Sequence, residues 1–269
     1  GKGGDILKWK KANISHVTFV DISENSLEVC KDRYFNPRQA SFTSKFIHLD
    51  ITKELIKEKY DENDIIEHDL VSSQFVIHYS FESFEQVECL LKNVSDSLRP
   101  GGYFIGTTTN ANEVIKRLRQ SKSNSFGNKI YNITFDEEYK DENKEIELFG
   151  VKFDFRLDNV VECPEYLLNF DCLIEMAKRH NLKILFKKTF SDFFAEYSNN
   201  NDYKQLITTM QALEPYYPKN LADSSNQNRD NKKEEYVYIE SKINEENSFI
   251  KNENLNENEA FATISNSEW

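Results

Sequence analysis

SSQFVIHYSFES, residues 72–83, is the stretch on which the interpretation of the whole chain depends. It is apolar enough to end a buried strand, yet it carries an amide, an imidazole, a phenol and a carboxylate within nine residues. Because buried polar groups need partners, a strand end with this many polar side chains favours a ligand site. The alternative is a strand-to-helix turn whose serines and glutamate only cap the next helix.

The composition is that of a chain able to bury a sizeable core, with 20 Phe and 13 Tyr among 269 residues. This length fits one large domain or two small ones. No stretch reaches the apolar run that a membrane span needs. The chain opens GKGGD, without the apolar core of a signal peptide. It also lacks an initiator Met, so we expect upstream sequence to be missing.

The cysteines and histidines predict neither disulfides nor a metal site. None of the cysteines forms a CxxC pair, and we interpret them as reduced thiols of a cytosolic or nuclear protein. The histidines are too scattered to indicate zinc binding. The cysteines are Cys30, Cys89, Cys163 and Cys172.

The net charge of -12 argues against a broad nucleic-acid-binding surface. The charge is uneven, because residues 223–269 contain 11 acidic and 5 basic residues, a net charge of -6. The body of the chain is therefore only mildly acidic and has room for a local basic pocket.

A glycine loop and an acidic residue at the end of a strand suggest a nucleoside site near the start of the chain. The loop at residues 1–5 would let backbone N–H groups approach a ligand. Residues 16–22 read as a buried strand that contains Asp21, 17 residues after Gly4. An acid at this spacing suits a ribose diol. Alternatively, Asp21 and Ser23 cap the next helix.

The first half of the chain alternates predicted strands and helices. Further strands are expected at 45–51, 69–77 and 103–107, and helices at 6–9, 24–34, 84–98 and 112–119. Asp50 lies near the end of the predicted strand at 45–51. This order predicts a doubly wound α/β sheet, whose ligands lie at the carboxyl ends of the strands.

The second half begins with an insertion. Residues 129–135 and 148–161 alternate apolar and polar positions, which indicates antiparallel strands around a charged loop. We interpret residues 129–166 as a lid. The predictions that follow are a helix over 171–180, a strand over 182–190, a helix over 190–213, and a local element at 234–243 within a disordered tail at 219–269.

Six motifs occur in order along most of the chain: GKGGD with KW (1–9), SSQFVIHYSFES (72–83), RPGGYFIGTT with an asparagine (99–110), VECPEYL (161–167), MQALEPY (210–216) and SEW (267–269). In these motifs the chain resembles the eukaryotic messenger RNA cap guanine-N7 methyltransferases. The resemblance implies a Rossmann-like class I methyltransferase fold with a small antiparallel lid and S-adenosylmethionine as the cofactor. It would make residues 1–218 a partial catalytic domain.

The resemblance assigns roles to individual residues. Asp21 would bind the ribose, Asp50 would face the adenine, and Gln74 would lie near the methionine part of the cofactor. Tyr79 would sit between cofactor and guanine, and with His78 it would position the reactants without acid–base catalysis.

The remaining roles concern the cap. Glu165 would accept the N1–H and N2–H donors of guanine, which turns N7 towards the methyl group. Phe75 and His78 would line the same guanine pocket. The triphosphate bridge would be held by Lys2, Lys8 and Arg33.

Several of these side chains have a simpler explanation. Lys8 fits a solvated helix face, and Arg33 fits a pair with an acid on its own helix, Asp32 or Glu28. Glu165 could cap a helix after Pro164, and His78 could be a core histidine with its partners satisfied. The joint occurrence of the motifs in family order favours the functional interpretation.

The sequence departs from the family pattern at three points. It starts at the last glycine of the Asp-x-Gly-x-Gly motif, so the first strand is missing. It stops at SEW, before the family's last strand, and both strands belong inside the sheet. Thr109 replaces a proline beside the guanine. We therefore expect a fragment of an active parent enzyme, unstable or inactive by itself.

The expected partner is the capped 5′ end of mRNA in the nucleus, with room for a small activating subunit and no role for a membrane or DNA. Two other functions remain open. One is a class I methyltransferase that acts on a small molecule. The other is a non-catalytic RNA-binding or scaffold protein derived from the fold.

Overall fold

The computed structural model describes residues 1–36, 42–61, 63–64, 67–128, 130–158 and 160–209. The chain divides into two compact units, Gly1–Leu185 and Phe186–Trp269. The predicted boundary at 218/219 and the tail lie outside the described residues and stay predictions. Within the described ranges, no helix is long and apolar enough to cross a membrane.

Two parallel strands and two helices open the first unit, in the order α1, β1, α2 and β2. The helices pack through Ile6 and Cys30, which are almost fully buried. The strands run parallel in a register from His16↔Thr43 to Asp21↔His48. The elements are α1 Ile6–Lys11, β1 His16–Asp21, α2 Glu24–Phe35 and β2 Thr43–His48.

A second parallel pair, β3 and β4, holds the motif at residues 72–83. Helix α3 connects the two strands and begins where the Ser83 hydroxyl accepts a hydrogen bond from Gln86 N. Its apolar side buries Val87, Leu90 and Leu91. The elements are β3 His68–Gln74, α3 Phe84–Ser97 and β4 Leu98–Thr107.

The α/β class is confirmed, but the four parallel strands form two separate two-stranded sheets rather than one continuous sheet. Side chains link the facing edges of β1 and β3: Thr18 Oγ1 lies 3.1 Å from His68 Nε2 and accepts a hydrogen bond of 3.3 Å from the Tyr60 hydroxyl. Such contacts do not replace a ladder of backbone hydrogen bonds, so the sheet is interrupted at this point.

The predicted strand at 69–77 is too long. Strand β3 ends at Gln74, because Phe75 has a left-handed backbone conformation with φ of 53°. A 3₁₀ helix, Ile77–Glu82, follows and buries His78. The motif is therefore a sharp turn at a strand end, and backbone strain of this kind is often found at ligand sites.

Gly106 in β4 allows this turn to pack closely. A Cβ atom at Gly106 would lie 2.8 Å from the Ser73 carbonyl oxygen and 2.8 Å from Ile77 Cδ1. We expect Gly106→Ala to lower the free energy of unfolding by about 1–3 kcal/mol, because backbone must move to relieve the overlap. Urea unfolding of both proteins measures this loss.

Gly4→Ala is the matched control for that prediction. A Cβ atom at Gly4 would meet nothing within 4 Å. Its effect on the free energy of unfolding should stay within about 0.5 kcal/mol, as for most surface substitutions. Equal losses for the two alanine variants would contradict the close approach at Gly106.

The insertion is a four-stranded antiparallel sheet in the order β5-β6-β7-β8. Helix α4 covers it, with Leu118 packed among Ile133, Phe135 and Phe153. The predicted strand at 148–161 is wrong in its bounds, because this stretch contains β7, a turn and the first residue of β8. The elements are α4 Ala111–Gln120, β5 Ser125–Gly127, β6 Tyr131–Phe135, β7 Lys152–Leu157 and β8 Val161–Tyr166.

The first unit continues with α5, Phe170–Arg179, where a helix was predicted. The predicted strand at 182–190 is wrong, since residues 182–189 adopt no regular structure. A strand is stable only when a neighbour pairs with its backbone, and none of the described strands does so here. Leu185 and Phe186 stay exposed.

The second unit is described up to residue 209 and contains two short helices, α6 Phe190–Tyr197 and α7 Asn201–Thr209. The predicted single helix over 190–213 is therefore interrupted within its described part. The break falls at Ser198, Asn199 and Asn200, and Asn200 Oδ1 accepts a hydrogen bond of 2.8 Å from Asp202 N. Serine and asparagine compete in this way with helical hydrogen bonds.

Candidate active site

A buried polar cluster joins the turn after β3 to the lid. His78 and Tyr79 come from the 3₁₀ helix, and Glu165 comes from β8. His78 is 1% exposed and Glu165 is 5% exposed, although each has a polar end group. The three side chains thus meet at a place where two distant segments of the chain pack together.

One carboxylate contacts both aromatic residues. The Tyr79 hydroxyl donates to Glu165 Oε1 at 3.3 Å, and His78 Nε2 lies 3.3 Å from Glu165 Oε2. The second contact has the distance of an ion pair, but Nε2 forms no geometrically sound hydrogen bond. A buried imidazole nitrogen with unused hydrogen-bonding capacity favours a ligand contact over a core histidine whose partners are satisfied.

The pKa of Tyr79 is raised well above its ordinary value of 10. Burial is the main cause, followed by the contact of the hydroxyl with Cys163 Sγ at 3.4 Å and by the charge of Glu165. The phenol therefore stays protonated across the neutral range and acts as a hydrogen-bond donor. It cannot serve as a general base near neutral pH.

Cys163 also belongs to this cluster, although the sequence did not predict it. Strand alternation explains its place. Cys163 and Glu165 are two residues apart in β8, so their side chains lie on the same face. Thr108 is also new: its Oγ1 lies 3.5 Å from His78 Nδ1. The apolar–polar alternation of the lid could have indicated Cys163, and Thr108 stands inside the motif at residues 99–110, where it was given no role.

Glu165 is not a helix cap. It lies inside β8, and α5 begins only at Phe170, where Asn169 Oδ1 accepts a hydrogen bond of 2.9 Å from Cys172 N. The simpler explanation for Glu165 is therefore wrong. A nearly buried carboxylate at this position can accept two parallel N–H donors from a ligand.

The predicted ribose residue, Asp21, is the last residue of β1. Its Oδ1 accepts a hydrogen bond of 2.7 Å from Ser23 N. Ser23 itself caps α2 by accepting from Ser26 N. Asp21 thus contributes to the turn before α2, and its role towards a ribose stays a prediction.

The predicted adenine residue, Asp50, follows β2 in a short loop. Burial alone would raise the pKa of Asp50, but hydrogen bonds from Thr52 and the charge of Lys53 outweigh it and lower the pKa. A backbone hydrogen bond joins this loop to the end of β1, because Leu49 N donates to the Asp21 carbonyl oxygen at 3.1 Å. The two acids therefore lie at neighbouring strand ends, and Asp50 keeps its charge at neutral pH.

Gln74, the third predicted cofactor residue, ends β3. Its Oε1 accepts a hydrogen bond of 3.0 Å from Thr107 Oγ1, and its Nε2 donates to Ser72 Oγ at 3.0 Å. These bonds fix the amide at the carboxyl end of the second parallel pair. Gln74 is exposed, which leaves its amide accessible to a ligand.

Two of the three predicted phosphate residues lie together. Arg33 Nη1 donates to the Lys2 carbonyl oxygen at 2.9 Å, which joins the last turn of α2 to the glycine loop. Glu28 pairs with Lys31 instead of Arg33. Lys8 forms a pair of 2.6 Å with Asp5 and is largely solvated, so the helix-face interpretation fits it as well.

Gly3 holds this loop in a conformation that only glycine adopts easily, with φ of 75°. A Cβ atom there would lie 2.9 Å from Cys30 Sγ of α2.

Phe75 lies outside the buried cluster and is 46% exposed at the end of β3. Its ring is accessible, and its place in a guanine pocket stays a prediction.

Polar residues at the ends of parallel strands, a glycine loop and an antiparallel lid define the chain as an α/β domain of the class I methyltransferase type. Residues 1–269 match the model of the mRNA (guanine-N(7))-methyltransferase domain. The chain belongs to this family, as the motifs predicted.

Curated relatives agree with this assignment. The chain is 40% identical over 228 residues to the mRNA cap guanine-N(7) methyltransferase of Drosophila melanogaster, covering 81% of the chain and 52% of the relative. It is 36% identical to cap methyltransferase 1 of Arabidopsis thaliana, covering 79% and 59%. The protein of Caenorhabditis elegans is 31% identical, with 100% and 67% covered. The chain thus spans about half the length of the Drosophila protein.

Among solved structures, an S-adenosylmethionine-dependent methyltransferase from Clostridium acetobutylicum is 14% identical, with a TM-score of 0.43. The match covers 68% of this chain and 71% of that one. A Pyrococcus horikoshii protein is 20% identical, with a TM-score of 0.44 and coverages of 66% and 68%.

Proposed function

We propose that this chain forms the catalytic part of an enzyme that methylates N7 of the guanosine cap on mRNA, with S-adenosylmethionine as methyl donor. The observation that carries the proposal is the contact of Glu165 with His78 and Tyr79 inside a buried cluster. A small-molecule methyltransferase has no need for a carboxylate placed to recognise a guanine edge.

Glu165 would recognise guanine by charge and geometry. The N1–H and N2–H donors of guanine are adjacent, and a carboxylate accepts both. N7 lies on the opposite edge of the base and would then point away from the lid. The Tyr79 phenol contacts the same carboxylate and would hold it in place. His78 Nε2 forms no hydrogen bond, although it lies 3.3 Å from Glu165 Oε2, and it would contact the base.

The strand ends fit S-adenosylmethionine. Asp21 and Asp50 place two carboxylates at neighbouring strand ends, where one would bind the ribose and the other would face the adenine. The fixed amide of Gln74 would contact the methionine part. When bound, the cofactor supplies a methyl group already activated by its sulfonium charge.

The chain's own residues would act by binding and orientation. Guanine N7 has a free lone pair at neutral pH, so no base is needed, and Tyr79 stays protonated. Alignment of well-oriented reactants is worth up to about 7–11 kcal/mol. Lys2, Lys8 and Arg33 would hold the phosphates, and the accessible Phe75 ring would pack against the base.

We expect the single-turnover rate to be flat between about pH 7 and 9, because no group of the cluster transfers a proton. Tyr79→Phe should lower the rate about tenfold through lost positioning, without changing the shape of the profile. Rapid-quench kinetics on both proteins measures this. A profile that reports an essential base with a near-neutral pKa would rule the mechanism out.

The test of the function itself is a methyl-transfer assay with GpppG-capped RNA. It uses the product of the complete coding sequence, alongside the 269-residue chain. Calorimetry with S-adenosylmethionine excludes a non-catalytic scaffold if binding is seen. Competition by GpppG but not by free small-molecule acceptors separates cap methylation from small-molecule methylation, and the reverse result would refute the proposal.

Three further properties are proposed on the strength of the substrate and the resemblance. The protein would bind RNA and act in the nucleus, where caps are made on new transcripts. A small activating subunit would bind it. Imaging of the tagged protein tests the location, and purification of the tagged protein under native conditions tests the subunit.

A further inference from the structure

A buried asparagine on α3 holds the loop that follows β2. Asn93 is 3% exposed and lies outside the cluster around Glu165. Its Nδ2 donates to the carbonyl oxygens of Ile51 and Glu54, both at 2.8 Å, and its Oδ1 accepts from Ile56 N at 2.8 Å. One side chain therefore binds three backbone groups of one loop.

These bonds use both donors and the acceptor of the amide. The Glu54 carbonyl oxygen also accepts a weaker hydrogen bond of 3.7 Å from Cys89 Sγ, so the Asn93 amide supplies the shorter bond to it. Leaving backbone groups unpaired in a partly buried place is costly. Aspartate has nearly the same shape but cannot donate to two carbonyl groups. The geometry thus requires an amide at Asn93.

The loop that Asn93 holds begins with Asp50. The Asp50 carbonyl oxygen accepts hydrogen bonds from Lys53 N at 3.0 Å and Glu54 N at 2.9 Å, so the loop is a tight turn. Asn93 bonds to the carbonyl group immediately after Asp50 and to that of Glu54. Movement of the turn relative to α3 would move the Asp50 carboxylate with it.

We infer that Asn93 is a positioning residue for the cofactor: by fixing the turn at residues 50–56 it sets where the Asp50 carboxylate meets the adenine of S-adenosylmethionine. The inference rests on the proposed function. It predicts that loss of the Asn93 amide weakens cofactor binding selectively, because none of the contacts proposed for the cap comes from the turn at residues 50–56.

Ser95 provides a matched control on the same helix. Its hydroxyl donates to the His180 carbonyl oxygen at 2.9 Å, which ties α3 to the end of α5. Ser95→Ala therefore also removes a side-chain-to-backbone bond of α3, but it does not touch the turn at residues 50–56. General destabilisation of α3 would appear in both variants.

The experiment measures S-adenosylmethionine and GpppG binding by calorimetry, using the product of the complete coding sequence. We expect Asn93→Ala to weaken S-adenosylmethionine binding at least about tenfold and to leave GpppG binding within about twofold. Ser95→Ala should change neither affinity by more than about twofold. Asn93→Ser, which keeps one hydrogen-bonding group, gives the same test if the alanine variant does not fold.

A double-mutant cycle with Asp50→Ala separates positioning from a merely structural role. If Asn93 acts through Asp50, its replacement adds little once the carboxylate is gone. Full additivity, or an equal loss of both ligands in Asn93→Ala, would overturn the inference. If the unmodified protein fails to bind S-adenosylmethionine, the proposed function is overturned as well. If the unmodified protein and Asn93→Ala bind it equally well, only the inference about Asn93 is overturned.

Discussion

Glu165→Ala is expected to weaken binding of the cap analogue GpppG by about 10²–10³-fold, with S-adenosylmethionine affinity within about twofold of the unmodified protein. Truncation of one member of a buried, charge-assisted contact costs about 2–5 kcal/mol, or about 30- to 4,000-fold in affinity, and the expected loss lies in the middle of that range. The carboxylate is 5% exposed, so water replaces it poorly. Calorimetry with each ligand measures both affinities.

Two further variants make this result interpretable. Glu165→Gln keeps the shape of the side chain but brings an amide donor to the donor edge of guanine, and it should lose nearly as much affinity. Glu162→Ala is the matched control, because Glu162 lies on the same strand with an exposed side chain. Equal loss of cap analogue and cofactor in Glu165→Ala would show that Glu165 is structural.

The second large effect is expected for Asp21→Ala, which should weaken S-adenosylmethionine binding by about 10–150-fold. A carboxylate that accepts hydrogen bonds from the two ribose hydroxyls is worth about 1.5–3 kcal/mol. Asp21 ends β1, where the neighbouring strand leads to Asp50. GpppG binding should change by less than about threefold, since no proposed cap contact involves this carboxylate.

Asp69→Ala serves as the control for Asp21. Asp69 lies near the amino end of β3, the opposite end of the strand from Gln74, and its exposed side chain pairs with Arg99. This variant should bind the cofactor normally. If Asp21→Ala also binds normally, the carboxylate serves only the turn before α2, in which it accepts from Ser23 N.

Patterns confined to a few turns of chain predicted the local elements well. The sequence predicted a helix at 84–98, and α3 spans Phe84–Ser97 with Ser83, one of the serines considered as caps, at its start. Alternating positions indicated the antiparallel lid. These predictions held because helix caps and side-chain periodicity depend on neighbours in sequence.

The predictions were wrong where contacts with residues far away in the sequence determine the local structure. Residues 182–189 have the composition of a strand, but a strand needs backbone partners that composition does not supply. The motif at 72–83 was predicted to stay extended to Ile77, yet the backbone turns at Phe75. Packing of Ile77 against Gly106 favours that turn, and this contact joins the 3₁₀ helix to β4.

The sequence by itself determined the order of helices and strands in the first half of the chain, the polar strand ends and membership of the cap methyltransferase family, because each is encoded in residues close together in the chain. Only the tertiary structure decided that Glu165 meets Tyr79, 86 residues away, and that Asn93 holds the turn of Asp50. Burial and hydrogen-bond partners arise when separate elements pack, so no local pattern contains them.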